Sequence, residues 1–195
     1  MKAASPGTAI SRFFCIFVRK KKKNTMIREV TLHDAAAIAA IYNDYILHTT
    51  VSFETEPLTT EAMRDRIAHI AADYPYFVAE ENGIVTGYCY AHPWKERAAY
   101  GHTLETTVYL SPESQSRGLG KQLMLKLIEE CRRRGYRALI ACITGNNEAS
   151  RAFHAHLGFE QVSLFKEVGY KFGQWLDVVD YELLLTRQTA PDHAE

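Results

Sequence analysis

Between a stretch ending at Leu110 and an apolar-periodic segment beginning near Lys121 lies Gln115-Ser-Arg-Gly118-Leu-Gly120-Lys121. Its two glycines let the backbone turn N–H groups toward an anion at the start of a helix. Unsatisfied donors and the helix dipole there favour a pyrophosphate. The pattern departs from two common nucleotide fingerprints: Leu123 stands where G-x-G-x-x-G needs its third glycine, and Gln122 follows Gly-Lys where a P-loop needs Ser or Thr. By itself the turn names no ligand. Downstream, His154 and His156 stand at i and i+2, so on a regular helix they face apart and cannot share a metal. Cys15, Cys89, Cys131 and Cys142 show neither a C-x-x-C pair nor the Cys/His spacing of a zinc site. We expect no metal and reduced cysteines, three of them inside apolar runs as small hydrophobes.

The elements around these residues follow from periodicity. Ile27–Thr31 predicts a short strand, and Asp34–His48 a helix with apolar residues at Ile38, Ile41, Tyr42, Tyr45 and Ile46. Thr60 can cap a second helix, with inner face Met63, Ile67 and Ile70, that ends before Pro75. Tyr76–Glu81 and Ile84–Ala91 flank Asn82-Gly83, a strong hairpin signal. Thr103–Leu110 reads as a strand running into the glycine turn. The helix from Lys121 to Arg134 buries Leu123, Leu127 and Cys131, carries Arg132–Arg134 at its negative end and stops at Gly135. Ala138–Ile143 predicts a strand covered on both faces. Asn147 caps a helix that buries Phe153 and Leu157 and ends at Gly158, and Val162–Glu167 and Val178–Leu185 close the domain as strands. The expected fold is α/β (α+β): a mixed, mostly antiparallel sheet with helices on both faces, in the order β-α-α-β-β-β-α-β-α-β-β.

Several blocks at consistent spacing carry a resemblance. Gln-x-x-Gly-x-Gly after a strand reading Thr-Val-Tyr-Leu, followed by Asn147-x-x-Ser150-x-x-Phe153-His154-x-x-Leu157-Gly158-Phe159, resembles the GNAT N-acetyltransferases from Met26 to about Leu185. Phe53-Glu54-Thr55-Glu56-Pro57, Pro93-Trp94-Lys95-x-Arg97, Tyr100, Glu105-x-x-Val108-Tyr109 and Gly169-Tyr170-Lys171-x-Gly173-x-Trp175-x-Asp177-Val178 are similar to the phosphinothricin and methionine sulfoximine acetyltransferase branch.

The resemblance implies transfer of an acetyl group from acetyl-CoA to a primary amine. The pyrophosphate would rest on the N–H groups of Ser116, Arg117, Gly118, Leu119, Gly120 and Lys121, with Arg117 or Lys121 adding charge. The pantetheine arm would lie along Val108, Tyr109 and Leu110 like an added strand, with Asn147 at its amide region and His156 bordering it. An amine attacks a thioester only when neutral, and an α-amino group with a pKa near roughly 8 needs only a modest base. Glu105 is the candidate, directly or through a water; without the resemblance it would read as a solvated strand carboxylate. A backbone N–H around Val108–Tyr109 would hold the oxyanion. Many GNAT enzymes place a tyrosine acid where this chain has His154, which either polarises or protonates at the site or packs within its helix. Lys95, Arg97 and Tyr100 offer donors to a carboxylate and a phosphinate or sulfone oxygen, or else line a solvated loop; Phe53 and Trp94 would wall the pocket. Tyr170 and Trp175 read as core or dimer packing, or else as extending the pocket or an interface. The alternatives are an acetyltransferase for another amine, a protein N-terminus or a polyamine, and a non-catalytic acyl-CoA-binding protein. The cationic Lys95/Arg97 pair argues against a polyamine.

Composition bounds the rest. The chain has 195 residues, 47% of them hydrophobic, with 23 Lys+Arg against 23 Asp+Glu, as in an ordinary single-domain globular protein and unlike collagen-like, disordered or disulfide-scaffold chains. The balance is uneven: residues 1–25 carry seven basic side chains and no acid, leaving 16 basic and 23 acidic in residues 26–195. The run Arg19–Lys23 offers charge to a nucleic acid or an anionic membrane, but we expect neither partner. We read residues 1–25 as a disordered basic extension or a misplaced start, 26–187 as the domain and 188–195 as a frayed tail. The apolar stretch Ile10–Val18 is short, interrupted by Arg12 and wrongly flanked for a signal or a span. A cytoplasmic homodimer acting on a small-molecule amine is expected.

Overall fold

In the computed structural model the described residues are 25–185; the basic run and the tail lie outside them. The chain opens with β1 (Thr25–Glu29), α1 (Ala35–His48), α2 (Thr60–Asp73), β2 (Tyr76–Glu81), β3 (Ile84–Pro93) and β4 (Thr103–Leu110). It continues with α3 (Leu119–Arg133), β5 (Ala138–Thr144), α4 (Glu148–His156), β6 (Glu160–Gln161), β7 (Phe165–Lys171) and β8 (Gln174–Leu184). One sheet runs β1-β2-β3-β4-β5-β8-β6, with β7 hydrogen-bonded to β8. Every pairing is antiparallel except β4 with β5.

Two apolar cores sandwich the sheet. On one face α1 and α2 bury Ile38, Ile46, Met63 and Ile67 against Val78 and Tyr88. On the other, α3 buries Leu123, Met124, Leu127 and Cys131 against Cys89, Leu104, Leu139 and Val179. This is the helix-covered mixed sheet that periodicity demanded.

Several boundaries moved for local reasons. β1 is Thr25–Glu29 rather than 27–31, because Thr31 and Asp34 form a capping box on the short turn before α1. Thr59, not Thr60, caps α2, its hydroxyl accepting from the Ala62 amide. α3 starts at Leu119, two residues before Lys121. Phe153 and Leu157 are only partly buried, whereas His154 is the buried residue of α4. β5 buries six of its seven residues, and its exception is Cys142, which is exposed.

The largest correction is at the C-terminal end. The expected strand 162–167 is instead β7, Phe165–Lys171, which returns through Phe172-Gly173 into β8 starting at Gln174. Both turn residues take positive φ, 50° and 75°. A phenylalanine rarely adopts that conformation, so Lys-Phe-Gly-Gln carried no hairpin signal of the Asn-Gly kind. The sheet also has one strand more than expected, the two-residue β6 that pairs with β8.

Candidate active site

β4 and β5 begin side by side and then part. They pair only through Thr103–Glu105 with Ala138–Ile140, although β4 runs on to Leu110 and β5 to Thr144. The Thr106 hydroxyl spans the start of the split to the Ile140 carbonyl at 3.2 Å. A cavity of about 510 Å³ opens there, walled by Glu105–Tyr109 of β4 and 141–144 of β5. Asn147, Ser150 and His154 of the α4 region close one side, and Phe53 and Glu54 another. A strand edge left unpaired along one wall is a binding surface for an extended, amide-containing molecule.

Glu105 stands at the point of divergence. Burial and then the negative charge of Asp180 raise its carboxyl above the usual range. His92, its register partner on β3, places Nε2 at 3.9 Å from Oε1. Tyr90 and Tyr109 share this wall, within an aromatic cluster that reaches Tyr42, Tyr45, Tyr76 and Tyr88.

His154 enters the cavity wall from α4 almost wholly buried, edge-on to Phe153 and Phe159 at 5.1 and 5.2 Å. Its Nδ1 lies 2.9 Å from the Ser150 carbonyl. A carbonyl can only accept, so Nδ1 carries the proton and Nε2 keeps its lone pair. Burial pushes the ring pKa down, although that backbone contact works to raise it, and the imidazole is held neutral. His156 points elsewhere: it is exposed, with its Nδ1 2.6 Å from the Ala152 carbonyl, and it does not line the cavity. Asn147 caps α4 by accepting from the Ser150 amide at 3.1 Å.

The glycine turn lies at the other end of β4. Ser116 and Gly118 take positive φ, 57° and 78°, and Gly118 is the N-cap of α3. The first-turn N–H groups from Leu119 onward lack acceptors within the helix and are presented to an anion. A Cβ on Gly120 would stand 3.4 Å from Leu110 Cδ1, so glycine lets α3 start hard against the end of β4. The Tyr45 hydroxyl donates to the Leu110 carbonyl at 2.8 Å and accepts from Gln115 Nε2 at 3.0 Å, tying turn, strand and α1 together. Arg117 turns to the buried carboxylate of Glu81 at 2.7 and 3.2 Å, while Lys121 remains exposed.

The expected substrate residues divide. Phe53 lines the cavity and lies across Gly169, where a Cβ would overlap its ring. Lys95 instead sits 4.4 Å over the Trp94 ring and 5.6 Å from that of Tyr100, on the loop joining β3 to β4. These three residues and Arg97 do not line the cavity. The spacing argument missed His92, Cys142 and Ser150, although the alternation Tyr88-x-Tyr90-x-His92 does place three ring side chains on one face of β3.

Comparison with known proteins matches this architecture. The acetyltransferase (GNAT) domain model fits residues 27–179. The chain belongs to the GNAT acetyltransferase family. It is 39% identical over 170 residues to the L-methionine sulfoximine/L-methionine sulfone acetyltransferase of Salmonella typhimurium, covering 85% of this chain and 98% of the relative. It is 42% identical over 155 residues to a phosphinothricin N-acetyltransferase of Alcaligenes faecalis, covering 78% and 79%. Among solved GNAT structures, the phosphinothricin acetyltransferase of Sinorhizobium meliloti in complex with acetyl-CoA superposes with a TM-score of 0.80 at 36% identity, over 82% of this chain and 88% of that one.

Proposed function

We propose that this GNAT enzyme acetylates the α-amino group of a small glutamate- or methionine-like amino acid, such as phosphinothricin, methionine sulfoximine or methionine sulfone, using acetyl-CoA. The observation that carries the reading is the carboxylate of Glu105 on the cavity wall where β4 and β5 part, beside the unpaired edge of β4. The relatives' substrates and the acetyl-CoA of the superposed structure support it.

The residues present fit acetyl-CoA. Ser116–Lys121 would hold its pyrophosphate, the edge of Val108–Leu110 its pantetheine arm, and Asn147 its amide region. When bound, acetyl-CoA supplies an activated acetyl thioester. Lys121 adds positive charge, and Arg117, neutralised by Glu81, adds less. Glu105 takes a proton from the substrate ammonium, leaving the nitrogen lone pair free to attack. Its pKa, raised by burial and by Asp180, strengthens it as a base. A backbone N–H of the Val108–Tyr109 segment polarises the acyl oxygen. His154, held neutral with its Nδ1 proton on Ser150, is suited to accept a hydrogen bond rather than to donate a proton. His156 has no part in this reading.

Phe53 forms a wall of the amine pocket. Lys95 and Arg97 act on the approach of an anionic substrate, through the field near the Glu105 end of the strands. Val168, Tyr170, Phe172 and Trp175 expose apolar surface along the β7–β8 hairpin, Trp175 by 63%, and this strip is the face we assign to a homodimer. No helix among the described residues is long and apolar enough to cross a membrane.

Thiol release from acetyl-CoA across a panel of amino-acid analogues, peptides and polyamines tests the assignment. Turnover should concentrate on the sulfone, sulfoximine and phosphinate. Glu105→Gln should lose about 10²–10⁴ in kcat with acetyl-CoA binding retained. Undiminished turnover in that variant removes Glu105 from the mechanism. Turnover confined to peptides or polyamines replaces the substrate class, and acetyl-CoA binding with no turnover on any amine replaces the enzyme with an acyl-CoA-binding protein.

A further inference from the structure

β3 and β4 run antiparallel with His92 opposite Glu105, and both side chains line the cavity while remaining about a third exposed, at 32% and 29%. The His92 Nδ1 lies 3.1 Å from the Pro93 carbonyl. That oxygen can only accept, so Nδ1 holds the ring proton and Nε2 turns a lone pair toward Glu105. Two acceptors then face each other across 3.9 Å, too far for a direct hydrogen bond. The arrangement has a place for one further proton, held by either group or carried between them by a water.

We propose that His92 is the proton partner of Glu105, so that the substrate's proton is taken by the pair rather than by an isolated carboxylate. The inference rests on the role assigned to Glu105 above. The ammonium N–H bond breaks with its electron pair left on nitrogen, and the proton passes to a Glu105 oxygen. From there it passes to His92 Nε2 and then to solvent through the cavity mouth, which returns Glu105 to its ionised state. His92 does not touch the reacting nitrogen in this scheme; it is a positioning residue that acts through Glu105.

The surroundings suit a shared proton. Burial, with Asp180 of β8, raises the Glu105 pKa, and burial lowers that of His92, so the two affinities converge. Cys142 of β5 and Tyr90 of β3 flank the carboxylate and are uncharged at neutral pH, the thiol being pushed up to about 12 and the phenol also raised. From the loop and helix packed over this face come Glu54 and Arg66, which pair with each other at 2.9 Å. A coupled pair binds its first proton more tightly than either member alone, whichever atom holds it.

Two measurements on the full chain test the pairing. The first is the titration of the His92 ring by NMR in the free protein and in Glu105→Gln, which needs no substrate. Loss of the facing carboxylate should lower the His92 midpoint by about one pH unit. The second is the pH profile of kcat/KM with acetyl-CoA and methionine sulfone in His92→Ala and His92→Gln, with melting temperatures checked. The acidic limb should move down by a similar amount in both variants. A histidine that only packs would lower activity by the same factor at every pH with the limb in place. A His92 titration indifferent to Glu105→Gln refutes the pairing and leaves the assignment of Glu105 standing. Full turnover by Glu105→Gln refutes both.

Discussion

Asp180 gives the sharpest handle on the proposed base, because it acts on Glu105 by charge alone across an intervening strand. Glu105 pairs with Ile140 of β5, and Asp180 pairs with Cys142 two residues further along the same strand. Two interstrand spacings of about 4.8 Å and two residue rises of about 3.3 Å put the two Cα atoms about 12 Å apart. One unit charge at that distance is worth about 1.4 kcal/mol at an effective dielectric constant near 20, or about one pH unit on Glu105; at the bulk value of about 80 it is about 0.3 unit. Burial, the larger cause of the raised pKa, is untouched by Asp180→Asn. The substitution should therefore lower the acidic limb of kcat/KM by about 0.3 to 1 pH unit. The sign follows from the role: a base works when deprotonated, activity falls as pH drops through its pKa, and removing a nearby negative charge lowers that pKa. Initial rates of thiol release in constant-ionic-strength buffers from pH 5 to 9 are the assay. An acidic limb that stays in place or moves up refutes the argument that this carboxylate, in this field, sets it.

Other consequences follow from named contacts. Gly118→Ala puts a Cβ into open space but at φ 78°, so the cost is backbone strain of about 1–2 kcal/mol, read as a lower melting temperature and a raised KM for acetyl-CoA. Lys171 is buried, with its ammonium donating to the Ser52 carbonyl at 2.6 Å beside the Phe53 wall. Lys171→Met should raise KM for the amine more than KM for acetyl-CoA, and equal changes in both would count against the loop-anchoring role. Burial works to raise the Asp34 pKa, but two bonds from Arg28 at 2.8 Å and those from Thr31 outweigh it, and the net shift is downward. Its contribution is complete above the unfolded carboxylate pKa of about 4 and is lost as pH falls through the lower folded value. Asp34→Asn should cost about 2 kcal/mol at pH 7, with the gap from wild type closing below about pH 4 in thermal melts.

How much of this was legible depended on whether a signal was local. The boundaries of β2 and β4, the αL glycines at 118 and 135 and the caps of α2 and α4 follow from residue type within a few positions, and the structure departs from the reading there by at most two residues. The β7–β8 hairpin was illegible because Phe172 occupies a conformation its side chain disfavours, held by the pairing on either side. His154 read either as a group acting at the site or as one packed within its helix; that it is the buried residue of α4 was not legible, because burial depends on which way the helix lies on the sheet. Arg117 looked like a phosphate ligand, but its partner Glu81 comes from a strand 36 positions away.

The sequence by itself determined the family, the order of helices and strands as far as α4, the glycine turn before α3 and the strand bearing Glu105. Each is written in neighbouring residues whose conformational preferences or motif spacing survive without their surroundings. Only the tertiary structure decided where β4 and β5 part, that His92 faces Glu105 across 3.9 Å, that Asp180 raises the carboxylate from two strands away, and that Lys95 and Arg97 stand off the cavity wall. Strand register and helix placement maximise buried apolar area and minimise unpaired backbone over the whole sheet. The distances and fields that make a site are set at that scale, not by any run of adjacent residues.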